Sequence, residues 1–136
     1  MKELSGHDER AVLSYLCLAS RAERCSQIPG RDRFLVLALF HAMQMGAVEW
    51  AEKCRQAIAA RSAHHIVAKS ESAVTWFQSE SRKPLILQLQ RFCHYEHAEQ
   101  LALNIQPDLF TIPADETERE MMDRQVQQYL APMCED

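Results

Sequence analysis

The residues with the most chemical potential in this 136-residue chain are Phe92-Cys93-His94-Tyr95-Glu96-His97. On a continuous helix, Cys93 and His97 stand one turn apart, and His94 and His97 are neighbours as well. A thiolate and imidazoles at that spacing can hold zinc. A structural site needs four donors, so His64, His65 or His41 would have to complete this one, and no spacing requires that. The competing reading, an ordinary turn with surface side chains, needs no such convergence and is the one the sequence favours. A metal-binding sensor or enzyme on Cys93, His94 and His97 is therefore held as the alternative. His64-His65 reads as a solvated loop pair.

Other catalytic patterns are missing. The chain has no G-x-S-x-G elbow, no glycine-rich phosphate loop, no G-x-G-x-x-G and no H-E-x-x-H. Glu96 and Glu99 sit one helical turn apart, without the opposed environments that split a carboxylate pair into acid and base. No catalytic residue, metal or cofactor is indicated, and the chain reads as non-enzymatic. Cys17, Cys25, Cys54, Cys93 and Cys134 form no C-x-x-C pair. Reduced thiols in a cytoplasmic protein fit this pattern, with Cys17, Cys54 and Cys93 as small core side chains.

The elements that must carry these residues are helical. Apolar residues recur at three- and four-residue spacing almost throughout, and alternation is nearly absent. A first helix is expected after Ser5, which with Asp8 resembles a capping box, ending before Ile28-Pro29-Gly30. A second is expected over 31–44, apolar on nearly every side through 34–40 and hence central. Gly46 reads as the turn to a third helix over 47–61. Residues 62–69 are ambiguous, a short helix follows Ser70-Glu71-Ser72, and further helices are expected over 85–93 and 96–104. Pro107 and Pro113 bracket an extended or looped 108–112. A last, polar helix is expected over 117–130, stopped by Pro132. The fold class is all-α: about six to seven short antiparallel helices in one compact bundle or small helical-repeat-like array.

Composition agrees with this. Three glycines and five prolines in 136 residues, with 47% hydrophobic and 25% charged, describe one ordinary folded domain. The first eight residues contain no apolar stretch that would make a signal peptide, and the longest apolar run, 34–40, is too short to cross a bilayer. The net charge is −4 but unevenly spread. Residues 107–136 hold eight acids against Arg119 and Arg124, a balance of −6, which leaves the preceding 106 residues at about +2. The chain thus divides into a helical core over 1–106 and an acidic loop and helix over 107–136, packed on the core or extending from it. The overall acidity argues against nucleic acid as partner.

Contact residues follow from the same pattern. Trp50 and Trp76 are interface-anchor types. Met121 and Met122, with Met43 and Met45, offer adaptable apolar faces. Glu116 and Glu120 lie in the acidic segment that a basic partner would meet. Arg21, Arg24, Arg31 and Arg33 flank the first turn, with Glu23 and Asp32 interleaved, as a salt-bridged rim or an anion-binding patch. Core packing is the favoured reading for Trp50, Trp76, Phe77, Phe92, Phe110 and the methionines, with the interface role held beside it. The favoured function is a protein–protein interaction or adaptor module in the cytoplasm, with another protein or a second copy of itself as partner. A nucleic-acid accessory role of the arginine rim is a further alternative.

Ala47-Val48-Glu49-Trp50-Ala51-Glu52-Lys53-Cys54, followed at some distance by Trp76 and Ser79-Glu80-Ser81-Arg82, resembles an uncharacterised family of small helical bacterial proteins. Some of that family are encoded beside type VI secretion genes. Glu49 stands where the family tends to have a second tryptophan, and the Ser-Gly-Gly close after the later helix is missing. The resemblance implies a helical fold, a bacterial cytoplasm and an accessory role, and it supplies no catalytic residue.

Overall fold

The computed structural model describes residues 2–134. Eight helices run in the order α1 (His7–Arg24), α2 (Ile28–Gln44), α3 (Val48–Arg61), α4 (Ile66–Lys69), α5 (Ala73–Phe77), α6 (Arg82–Phe92), α7 (Tyr95–Ile105) and α8 (Glu118–Cys134). Two short strands, β1 (Lys2–Glu3) and β2 (Thr111–Ile112), pair antiparallel, with Lys2 opposite Ile112. The fold is all-α, as the periodicity predicts. The small ribbon is an addition to that expectation. Two residues are too short to show alternation, and their pairing comes from distant parts of the chain.

α1 and α2 form the centre. α1 packs on α2, α7 and α8, and α2 packs on α3, α5 and α6 as well. α2 buries Leu35, Val36, Leu37, Ala38 and Leu39 in succession, which fits a helix apolar on all sides. α8 lies on α1 and α3 and buries Met121, Met122, Val126, Tyr129, Leu130 and Met133. Of the two placements open for the acidic segment, the described part is packed on the body.

Several boundaries differ from the sequence reading for local reasons. Gly6, not Ser5, is the residue before α1, and no side chain caps it. Asp8 is instead drawn to His41, whose Nδ1 lies 2.9 Å from its Oδ1. α2 begins at Ile28 because Pro29 occupies its first turn, where a missing N–H is harmless. Pro84 is accommodated in the first turn of α6 in the same way. Pro132 does not stop α8, which continues to Cys134. α8 begins with a reciprocal capping box. The Glu120 N–H donates to Thr117 Oγ1 (3.1 Å), and the Thr117 N–H donates to Glu120 Oε1 (3.0 Å).

The first two helices end in the same closing motif. After α2, the Ala47 N–H reaches Ala42 O (2.8 Å) and the Gly46 N–H reaches Met43 O (3.1 Å), with Gly46 at φ 81°. After α1, Gln27 reaches Ala22 O (2.8 Å) and Ser26 reaches Glu23 O (3.1 Å). Here the left-handed position is held by Ser26, at φ 58°.

Candidate functional site

Helices α6 and α7 are the least covered of the longer elements, each with two buried residues in eleven. In α6 these are Ile86 and Leu89. Leu87 is 53% exposed and Phe92 44% exposed. The helix carries Arg82, Lys83 and Arg91 and no carboxylate. Neighbouring α5 has no charged side chain, and the sole acid on α2, Asp32, is buried. The exposed Arg33 of α2 adds a fourth cation, stacked over the Phe92 ring at 4.9 Å. Arg82 covers the Phe77 ring at 4.5 Å. Between α2, α5 and α6 runs a groove of about 590 Å³ with Phe40, Phe77, Ile86 and Leu87 on its walls and Arg82 and Lys83 on its rim. Apolar walls beneath cations suit an acidic amphipathic segment.

A second cluster lies where the first turn of α1 meets α2. His7, Asp8 and His41 each bring a donor atom within 4.8 Å of the other two. His41 is buried and its ring is fixed on both sides. Tyr15 stacks on it (centroids 5.8 Å apart, planes at 16°), and Phe40 meets it edge-on at 5.3 Å. Burial lowers the His41 pKa from the usual histidine value, against the opposing effect of its hydrogen bond to the Asp8 carboxylate. Tyr15 is held by donating its hydroxyl to Cys93 O at 2.8 Å, and burial raises its phenol pKa. The cluster opens onto a cleft of about 470 Å³ bordered by Gln90, His94, Tyr95 and Glu96.

The sequence-derived metal candidate is corrected here. The helix on which Cys93 and His97 would share a face is broken: Cys93 is extended at φ −158°, ψ 94°, and ends α6. His94 caps α7, accepting from the His97 N–H at 3.4 Å. The His94 and His97 rings are 6.0 Å apart, and the Cys93 thiol is buried with its pKa raised by desolvation. Among the described residues, the one His/Cys/Asp/Glu group with metal-like spacing is His7–Asp8–His41, and it contains none of these three.

The interaction candidates are also redistributed. Trp76 is fully buried, and Trp50 is 5% exposed with Nε1 donating to Asp123 Oδ1 at 3.1 Å. Trp50 is therefore a seam residue between α3 and α8, and Trp76 a core residue; neither presents an exposed indole. Met121 and Met122 are buried beneath α8 and offer no contact face. Glu116 is engaged with Arg124, whose guanidinium holds its pKa below the usual carboxylate range. Glu120 is exposed but committed to the capping box. Arg21, Arg24 and Arg33 are exposed, whereas Arg31 is fully buried and leaves the rim. It donates to Glu23 (3.0 Å), Asp32 (2.6 Å) and Ala57 O, joining α1, α2 and α3. Phe92, read with the core aromatics, is 44% exposed: its ring lies against Phe34 at 5.4 Å and beneath Arg33 at the edge of the body.

No protein-family model, curated protein or solved structure matches the chain.

Sequence reasoning missed both clusters for different reasons. The α6 face had a signal: three cations without an acid, and consecutive Leu85, Ile86 and Leu87, more apolar surface than one helix face can bury. The His7–Asp8–His41 group had none, because His41 lies 33 residues beyond Asp8 and meets the adjacent His7 and Asp8 only through helix packing.

Proposed function

We propose that this chain is a non-enzymatic interaction module whose α6 face binds an acidic, amphipathic helical segment of another protein. The observation that carries the reading is the groove face of α6, where Leu87, half out in solvent, lies with Phe40, Phe77 and Ile86 beneath Arg82 and Lys83, on a helix that bears no carboxylate. Sealing a half-exposed leucine or phenylalanine contributes about 1 kcal/mol each, and the surrounding cations select acidic flanks. The partner is a different protein rather than a second copy. The acidic segment of this chain keeps its own apolar residues, Met121, Met122 and Val126, in the core, so it has no free stripe to offer.

A bacterial cytoplasm is part of the same proposal. All five cysteines are free thiols, including the exposed Cys25, which suits a reducing compartment. No helix is long and apolar enough to cross a membrane among the described residues. The bacterial assignment rests on the resemblance carried by Ala47 to Cys54, Trp76 and Ser79 to Arg82. Buried Cys17, Cys54 and Cys93, with pKa values raised by desolvation, are poor nucleophiles, which supports a non-enzymatic role.

The test is fluorescence anisotropy with a labelled synthetic helix bearing an apolar stripe and glutamate flanks. Saturable binding is expected, weakened about tenfold or more by Leu87→Asp, a loss of about 1.4 kcal/mol. It also weakens with added salt, and a lysine-flanked peptide with the same stripe does not bind. Equal binding of both peptides, or binding indifferent to Leu87→Asp, contradicts the reading. A concentration-dependent dimer abolished by Leu87→Asp would assign the face to self-association instead.

A further inference from the structure

We propose that His7, Asp8 and His41 form a binding site for one divalent first-row transition-metal ion, with zinc as its simplest occupant. The proposal is independent of the α6 face. Three potential donor atoms, two imidazole nitrogens and a carboxylate oxygen, already lie within 4.8 Å of one another. Two histidines and one carboxylate form an established donor set for zinc and for non-haem iron. Tetrahedral coordination with bonds of about 2.0–2.1 Å places neighbouring donors roughly 3.3 Å apart. His41 and Asp8, at 2.9 Å, are already near that separation. The remaining closure is small, and the exposed side chain of His7 is free to supply it by rotation.

The surroundings fix His41 as a prepared ligand and leave the exposed His7 to adjust. His41 is held between Tyr15 and Phe40, and the His7 ring rests against Tyr95 with centroids 4.4 Å apart. Neutral imidazole is the metal-binding form. With its proton shifted to Nε2, His41 offers the Nδ1 lone pair toward Asp8, and the ion occupies the place of the proton now lying between Nδ1 and Oδ1. The proton count of the ring does not change. A fourth coordination position faces the cleft bordered by Gln90, His94, Tyr95 and Glu96 and is left to water or to a donor brought by a ligand. In the fold, such an ion ties the start of α1 to the last part of α2.

Calorimetric titration of the full chain with zinc, repeated with cobalt(II) for its visible spectrum, tests the proposal. One ion per chain is expected, with cobalt bands that lack thiolate charge transfer. His7→Ala, at an exposed position that leaves the core intact, weakens binding at least tenfold, and Asp8→Asn weakens it as well. His64→Ala and Cys25→Ser leave it unchanged. Absence of saturable binding overturns the proposal. So does binding that survives His7→Ala and Asp8→Asn, or that disappears in Cys25→Ser with a thiolate spectrum, which would place the ion on a cysteine.

Discussion

Replacing Arg31 by methionine keeps the aliphatic stem of a fully buried side chain and deletes its guanidinium. That group is the partner of Asp32, itself only 5% exposed, at 2.6 Å, of Glu23 at 3.0 Å and of the Ala57 carbonyl. Glu23 retains Arg61 at 3.0 Å, so its loss is partial. Asp32 retains only the Ser62 hydroxyl. Removing one member of a buried ion pair costs about 3–5 kcal/mol, because the other charge is left uncompensated. For a chain of this length the unfolding entropy is about 0.3 kcal/mol per kelvin, so the midpoint should fall by roughly 10–17 °C. Urea and thermal unfolding followed by circular dichroism measure both quantities. The double variant Arg31→Met/Asp32→Asn removes the stranded charge and should recover about half of the loss or more, since neutral replacement of a buried pair is often tolerated. A single-variant loss below about 1 kcal/mol, or losses that simply add in the double variant, would refute the reasoning.

Further expectations concern the termini and the core. Ser26→Gly should stabilise the protein by about 1 kcal/mol by relieving a left-handed serine, and Gly46→Ala should destabilise it by a similar amount; chemical denaturation compares them. His65 caps α4 by accepting from the Val67 N–H at 3.1 Å, and burial lowers its pKa from the usual value, with Asp32 opposing. A histidine with a depressed folded pKa takes up its proton first in the unfolded chain. Stability is therefore full above the unfolded value of about 6.5 and falls as pH drops below it. His65→Asn, which keeps an N-cap acceptor, should flatten that acid slope in unfolding measurements between neutral and mildly acid pH. Met121→Ala should cost about 2–4 kcal/mol by opening a cavity under α8, whereas substitution of a solvent-facing contact residue would leave the denaturation midpoint nearly unchanged.

The helices were legible because their signals are local. The unbroken apolar stretch of α2 marked the central helix, Gly46 marked the turn after it, and the Met121, Met122, Val126 and Leu130 spacing marked the inward face of α8. Errors arose where a distant residue decided a local outcome. Asp8 was read as half of a capping box with Ser5, but His41 from the next helix takes its carboxylate. Arg31 was read as part of a surface rim because its neighbours in sequence are charged. Packing of α1, α2 and α3 encloses it together with Glu23 and Asp32. Cys93 and His97 were paired on the condition of a continuous helix, and the extended Cys93 removes that condition. Trp76 and the methionines had two readings from composition, interface or core, and only burial separates them. The α6 face was visible in outline as a basic helix with surplus leucines, but its exposure depends on which neighbours the fold leaves beside it.

The central claim is that α6 is the recognition surface, and nitrogen-15 chemical-shift mapping tests it most directly. Uniformly labelled protein is titrated with the glutamate-flanked amphipathic helix. Shifts are predicted to concentrate on Arg82 to Phe92 and on Phe40 and Phe77 across the groove. Resonances of α8 should stay in place. Shifts centred on α8, or none anywhere at about millimolar peptide, where even a weak complex of roughly −4 kcal/mol is half formed, would contradict the account.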